Sequence, residues 1–300
     1  MEERRICIIT GANSGIGKEA AVQIAAEGFH VVMACRSAAR AEAALADIRR
    51  AVPNASAEVM QVNMGLQSSV RAFAAAVADR YGRVDVLIHN AAVFDVAQKE
   101  RVLTPEGTEL VWAVNHLGPV LLTVLLLDQL KASDNGRVIT ISSQGLVAMP
   151  RLKVDVEDPE FERRRFSAAK AYYQSKRAQV MFTRWLADKL SGTRVTANSI
   201  RVTAVKVDLA RHPELSTFQR WAYSIKSRMS LEPAQMARTY TWLATSPEVS
   251  EMTGKYFNEK KKEVKDVAYS EDMSAIQAVM AMTARYIPVL MTVIAHDSEN

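Results

Sequence analysis

Along the chain, short runs of consecutive apolar and β-branched residues alternate with longer stretches in which Ala and Leu recur at helical spacing. Runs that are apolar on both faces suit strands buried in a parallel sheet, and the stretches between them suit the crossover helices such a sheet requires. The pattern predicts strands at 6–10, 30–34, 58–62, 84–89, 137–142 and 194–200, with a short seventh near Tyr256. Helices are predicted at 17–26, 38–50, 68–81, 109–131, 169–189 and 233–245, the last opening on Pro233 as a first helical turn allows. The alternation predicts an α/β chain with a single doubly wound parallel sheet of about seven strands flanked by helices.

Composition narrows the class. With 300 residues, of which 49% are hydrophobic and 24% charged, a core can form without staples, which excludes a disulfide scaffold, a peptide hormone or a disordered tail. The formal charge of +5 is not gathered into one basic block, so nucleic acid is not an expected partner. Cys7 and Cys35 lie in or beside apolar runs, where a thiol behaves as a small hydrophobe, and a reducing compartment fits them best. Met1 to Arg5 leads straight into Ile6 with no apolar leader, so the expected location is cytoplasmic. The most membrane-like stretch, 273–295, is interrupted by Arg285 and Pro288 and falls short of the ~20 apolar residues a span needs. It reads as an amphipathic or partner-packing helix.

Thr10-Gly11-Ala12-Asn13-Ser14-Gly15-Ile16-Gly17-Lys18 follows the first predicted strand and opens the first predicted helix. Glycines in that place let the backbone turn sharply and approach a pyrophosphate, which the helix N-terminus then holds. This is the phosphate-binding end of a Rossmann-type sheet, and it implies a dinucleotide. At the end of the second strand an NAD-selective site would carry a carboxylate for the ribose hydroxyls, but the chain reads Ala34-Cys35-Arg36-Ser37. Arg36 can pair with a 2′-phosphate, Lys18 is near enough in sequence to help, and NADP(H) is therefore expected over NAD.

Chemistry is expected at the other end of the strands. Tyr172 and Lys176 are four apart on a predicted helix and share a face, and an ammonium beside a phenol is expected to lower its pKa into working range for acid/base catalysis. Tyr173, three before Lys176, is also near that face, so spacing alone leaves both tyrosines open. Ser142 and Ser143 end the fifth strand, where open α/β sheets place their ligands. Asn115 is a polar residue in a long apolar helix, and burial would oblige it to bond something.

Together, Thr10-Gly11-xxx-Gly15-x-Gly17, Asn90-Ala91-Ala92, Asn115, Ser143 and Tyr172-xxx-Lys176 resemble the short-chain dehydrogenase/reductases, in order and spacing, over about residues 5–258. Cys35-Arg36, Asn115-His116-Leu117-Gly118, Gln174-Ser175-Lys176 and Gly254-Lys255-Tyr256-Phe257 resemble the family's retinol dehydrogenase-like branch, which borders the light-dependent protochlorophyllide reductases. The resemblance implies NADP(H) and a bulky apolar aldehyde, ketone or alcohol as substrate. It implies Tyr172 as the acid, Lys176 as the group that lowers its pKa and bonds the nicotinamide ribose, Ser143 as a second bond to the substrate oxygen, and Asn115 as holder of a water that serves Lys176. Gly11, Asn13, Ser14, Gly15, Ile16 and Gly17 would contact the cofactor with Arg36, Asn90 and Ala91, and Asn63 would take the place of the aspartate that usually meets adenine. Residues 1–257 would form the dinucleotide-binding oxidoreductase domain, with a substrate lid near 212–230. Residues 258–300 would be a helical C-terminal extension that meets a second copy, as in a homo-oligomer, or a membrane surface.

Some features depart from the pattern. Where relatives have a Pro-Gly turn after the sixth strand and then a Thr or Ser for the carboxamide, this chain reads Arg201-Val202-Thr203-Ala204-Val205-Lys206-Val207. That departure motivates the alternative of an NADP-binding protein without net redox turnover, regulatory or catalysing a non-redox cyclisation. His89 and His116 have no partners at metal-ligand spacing, so no metal is expected. Arg163-Arg164-Arg165 reads as a surface loop, and the mixed run 259–263 as a solvated one.

Overall fold

A computed structural model describes residues 4–206 and 230–295. Seven strands among these residues form one sheet: β1 (Ile6–Thr10), β2 (His30–Cys35), β3 (Ser56–Gln61), β4 (Val86–His89), β5 (Gly136–Ser143), β6 (Val195–Val202) and β7 (Tyr256–Phe257). Their order is β3-β2-β1-β4-β5-β6-β7 and every pairing is parallel. The sheet is thus doubly wound as its sequence predicts, with ends displaced by one or two residues. The winding reverses between β1 and β4, which opens a crevice beyond their carboxyl ends.

The helices are α1 (Gly15–Ala26), α2 (Ala38–Ala51), α3 (Gln67–Arg80), α4 (Leu110–Trp112), α5 (Gly118–Leu125), α6 (Leu127–Lys131), α7 (Ala168–Lys189), α8 (Pro233–Thr245), α9 (Met273–Tyr286) and α10 (Leu290–Ala295). The alternation of strand side chains divides them between two faces. Ile6 and Ile8 of β1 enter the core closed by α3, α5, α7 and α9, while Cys7 and Ile9 enter the core closed by α1, α2 and α8. Ser37 caps α2 by accepting from Arg40 N, and Glu232 with Gln235 forms a reciprocal cap on α8.

One expectation changes. The single helix predicted over 109–131 is interrupted by a π turn, Ala113–Leu117, before α5 begins. Gly118, at the end of that turn, lies so close to the chain at Met64 that a Cβ would stand 2.3 Å from the Met64 carbonyl oxygen. Residues 258–295, expected as a helical C-terminal extension, carry α9 and α10 and pack on the core. Ile276, Val279, Met280, Ile287 and Leu290 are buried with the side chains of α3, α5 and α7, so the apolar stripe that suggested a partner is covered by the chain itself. Among the described residues no helix is long and apolar enough to cross a membrane. Val207 and the expected lid, apart from Ser230, lie outside the described residues.

Candidate active site

The turn leaving β1 explains its glycines. Gly11 and Gly15 hold φ of +68° and +55°, where a side chain would be strained. At Gly17 the reason is space, because a Cβ would stand 2.4 Å from Asn90 Nδ2 and 2.8 Å from Gly11 O. Asn90 draws the turn in: its Nδ2 donates to Thr10 O at 2.9 Å and Gly11 O at 3.2 Å, while Ala91 N donates to Thr10 Oγ1 at 3.0 Å. Tyr240, buried in α8, donates to Asn90 Oδ1 at 3.4 Å and completes the cross-link of the β1 and β4 ends.

Above this turn lies a cavity of about 320 Å³. From the turn, Gly11, Asn13, Ser14, Ile16 and Gly17 line it; from the strand ends come Arg36, Asn63, Asn90 and Ala91. Gly15 shapes the turn without lining the cavity. Glycine amides and the start of α1 at one wall are groups that could hold a pyrophosphate. Asn63 Oδ1 accepts from Gly65 N at 3.1 Å, which leaves its amide nitrogen as the donor. Arg40 also lines the cavity, a residue that sequence reading missed; the signal was its place one helical turn after Arg36 across the Ser37 cap. Arg36 and Arg40 are both exposed, and no carboxylate is among the lining residues. Lys18, expected to help them, is instead paired with Asp47 of α2 at 3.0 Å, because the first turn of α1 carries it away from the cavity.

At the chemical end the geometry separates the paired candidates. Ser142 is buried and donates to Lys176 O at 3.2 Å, whereas the Ser143 hydroxyl accepts from Gly145 N at 3.2 Å and lies near enough to the Tyr172 phenol to favour its ionised form. Tyr173 packs over Gly145, where a Cβ would lie 2.2 Å from its hydroxyl. Tyr172 is thus the tyrosine placed with Ser143, and Lys176 Nζ lies 5.6 Å from its ring centre. Lys176 is itself buried and donates to Ile141 O at 2.8 Å.

The electrostatics correct the sequence expectation. Burial, with the neighbouring Tyr173 adding to it, pushes the Tyr172 phenol up to about 12, while the Ser143 hydrogen bond works the other way. The Lys176 ammonium was expected to bring the phenol down, but it is not among the groups that shift it, and desolvation of the ring prevails. Burial also lowers Lys176 from 10.5 to about 8. At neutral pH the pair is a protonated phenol beside an ammonium.

Asn115 sits in the π turn, a feature frequent at functional positions. Its Oδ1 accepts from Val93 N at 2.7 Å and its Nδ2 donates to Val93 O at 3.0 Å and Ser175 Oγ at 3.1 Å. The side chain is a bracket between the loop after β4 and α7. Phe94, on the same loop, stacks on Tyr172 with centroids 4.1 Å apart and planes 17° apart, a partner that no spacing in the sequence announces.

The remaining polar candidates lie away from the cavity. His89 and His116 are fully buried, with Nε2 at 2.7 Å from Thr123 Oγ1 and 2.9 Å from Thr283 Oγ1, and desolvation takes both down to about 3. Arg163 N and Arg164 N wrap Asp158 Oδ2 at 3.3 and 3.0 Å, which stiffens the loop before α7.

Comparison with known proteins agrees with this geometry. A short chain dehydrogenase family model matches residues 5–154. Human retinol dehydrogenase 13 is 36% identical over 283 residues, covering 93% of this chain and 83% of that protein. Human retinol dehydrogenase 12 is 36% identical over 258 residues, covering 86% and 78%. Among solved structures, an uncharacterized protein from Mycobacterium paratuberculosis superposes with a TM-score of 0.70 at 27% identity, covering 96% of this chain and 93% of that one. Levodione reductase, at 21% identity and a TM-score of 0.69 over 89% of this chain and 98% of that one, shares the fold. With a matched family model over its first half and relatives that align through its C-terminal segment, this chain belongs to the short-chain dehydrogenase family.

Proposed function

We propose that this protein is an NADPH-dependent oxidoreductase that interconverts a bulky apolar aldehyde or ketone with its alcohol. The observation that carries the reading is the meeting of Tyr172 with Ser143 and Lys176 beyond a cavity whose far end presents Arg36 and Arg40 and no carboxylate. Retinol dehydrogenases among its relatives favour an apolar substrate, and the Phe94 ring over Tyr172 gives such a substrate an aromatic surface to meet.

The dinucleotide would be held by the glycine turn at its pyrophosphate, by Asn63 at adenine, and by Arg36 with Arg40 at a 2′-phosphate. When bound, it supplies the hydride that reduces the carbonyl carbon. The chain's own residues manage the oxygen. Ser143 Oγ and Tyr172 Oη hold it, and Tyr172, kept protonated by burial, transfers its proton to the oxygen as negative charge develops there. Lys176, held by Ile141 O, uses one of its three N–H groups on that carbonyl and keeps two for the ribose and for proton return.

The test is spectroscopic. Purified protein with NADPH and a panel of apolar carbonyls should lose nicotinamide absorbance, and Tyr172→Phe should abolish turnover while NADPH still binds. Full turnover in that variant refutes the assigned acid. Tight NADPH binding without oxidation anywhere in the panel would assign a nucleotide-binding module instead.

A further inference from the structure

Arg177 follows Lys176 in α7 and is fully buried. A guanidinium out of water is costly unless its donors are answered, and a hydrophobic residue of similar volume would often serve stability equally well. Here Nη1 donates to Ser270 Oγ at 3.0 Å and meets Asp266 Oδ1 at 3.5 Å, while Nη2 donates to Met149 O at 3.0 Å. Ser270 is itself buried and the Asp266 side chain nearly so, in the segment that leads into α9. Met149 closes the 3-10 turn Gln144–Ala148, which starts directly after Ser143. One buried cation therefore links the helix of Tyr172 and Lys176, the turn that begins at Ser143, and the C-terminal segment.

A second link has the same form. His116 follows Asn115 in the π turn, lies tilted against Trp112 with ring centres 4.4 Å apart and meets Thr283 Oγ1 of α9 at 2.9 Å. The Thr283 hydroxyl donates to Val279 O at 2.8 Å, so it accepts from His116. Each of the two residues adjoining Asn115 and Lys176 on their C-terminal side thus anchors to the same C-terminal segment.

We propose that residues 264–287 act as a brace for the active site, with Arg177 and His116 as positioning residues that hold Ser143, Lys176 and Asn115 in register. The brace rests on the oxidoreductase reading above for its kinetic consequence, though its mechanical consequence is independent of it. Displacing a catalytic group by about 1 Å costs up to about 100-fold in rate. Loss of the brace is therefore expected in kcat, with cofactor affinity preserved, because neither Arg177 nor His116 lines the cofactor cavity.

The experiment uses Asp266→Asn and Thr283→Val in the full chain, which keep side-chain volume, and the double variant. Glu271→Gln serves as control, since its exposed pair with Arg184 lies on the same segment outside both links. Below the unfolding transition, Asp266→Asn and Thr283→Val should each lower kcat about tenfold, an intermediate value on that scale. NADPH affinity by fluorescence titration should stay within about twofold, and Glu271→Gln should match wild type. Hydrogen exchange of amides 144–149 should quicken in Asp266→Asn. Lower melting temperature with kcat and exchange unchanged would mean that the contacts are only structural and would overturn the proposal. If wild type turns over no carbonyl, the functional reading fails, and exchange at 144–149 decides the brace alone: unchanged rates refute it.

Discussion

Replacing Lys176 by Met should leave the fold at least as stable as wild type while removing activity. Lowering an ammonium from its ordinary 10.5 to about 8 means that the folded protein disfavours the charged form by about 3 kcal/mol relative to water. Met has similar length and carries no charge into the interior, so that cost disappears at pH 7. Against it stands the hydrogen bond to Ile141 O, whose loss costs about 1–3 kcal/mol. The balance runs from parity to about 2 kcal/mol in favour of the variant, or up to about 4 °C in melting temperature at about 2 °C per kcal/mol for a chain of this size. The sign can be checked with pH. Between about 8 and 10.5 the unfolded chain still binds a proton at position 176 that the folded chain has released, so wild-type stability rises with pH through that window and the difference from Lys176→Met shrinks. Urea unfolding of both proteins at pH 7 and across this window, together with NADPH oxidation, measures every part. A variant more than about 1 kcal/mol less stable at pH 7, beyond what the carbonyl alone explains, would refute the reasoning, as would a difference that does not change with pH.

Three further outcomes are expected. Arg36→Gln and Arg40→Gln should each weaken NADPH binding about fivefold, the effect of losing about 1 kcal/mol of solvent-screened pairing, and leave NADH binding unchanged in calorimetric titration. Gly17→Ala forces a Cβ to within 2.4 Å of Asn90 Nδ2; an overpacking cost of about 1–3 kcal/mol should appear as lost cofactor affinity and a lower unfolding midpoint. Phe94→Ala uncovers the Tyr172 ring, so a tyrosinate absorbance titration, with Tyr172→Phe as the reference, should find this phenol below about 12.

The centre of the sheet was legible because β1, β2 and β4 are buried on both faces and therefore read as apolar runs, and the glycine turn was legible because its backbone shape admits little else at Gly11 and Gly17. Tyr172 and Lys176 were legible as a pair through helical spacing, whereas the choice against Tyr173 rests on Gly145, a contact 28 residues away in sequence. The sign of the phenol shift was not legible: spacing reveals a neighbouring charge, but desolvation depends on everything packed around the ring, Phe94 included. The π turn was hidden for a related reason. Its extra residue leaves the apolar pattern of 109–131 intact while turning Asn115 toward Val93 and Ser175. The C-terminal segment shows an amphipathic stripe in either case, and only the tertiary structure shows that the stripe meets α5 and α7 of its own chain.

The cost of burying Lys176 has a counterpart in the proposed chemistry. Before reduction the phenol is neutral, and an ammonium near it gains little from the pairing. Once the proton has passed to the substrate oxygen, a phenolate stands near that ammonium, whose Nζ lies 5.6 Å from the ring centre, and the two opposite charges attract. The attraction arises as charge develops and is absent from the ground state, the condition under which an interaction speeds a reaction instead of merely tightening binding. The Ser143 hydrogen bond acts in the same direction, since it too favours the ionised phenol. The ammonium whose burial costs about 3 kcal/mol thus acts where the proton leaves, and a neutral side chain at position 176 would remove that cost and that attraction together.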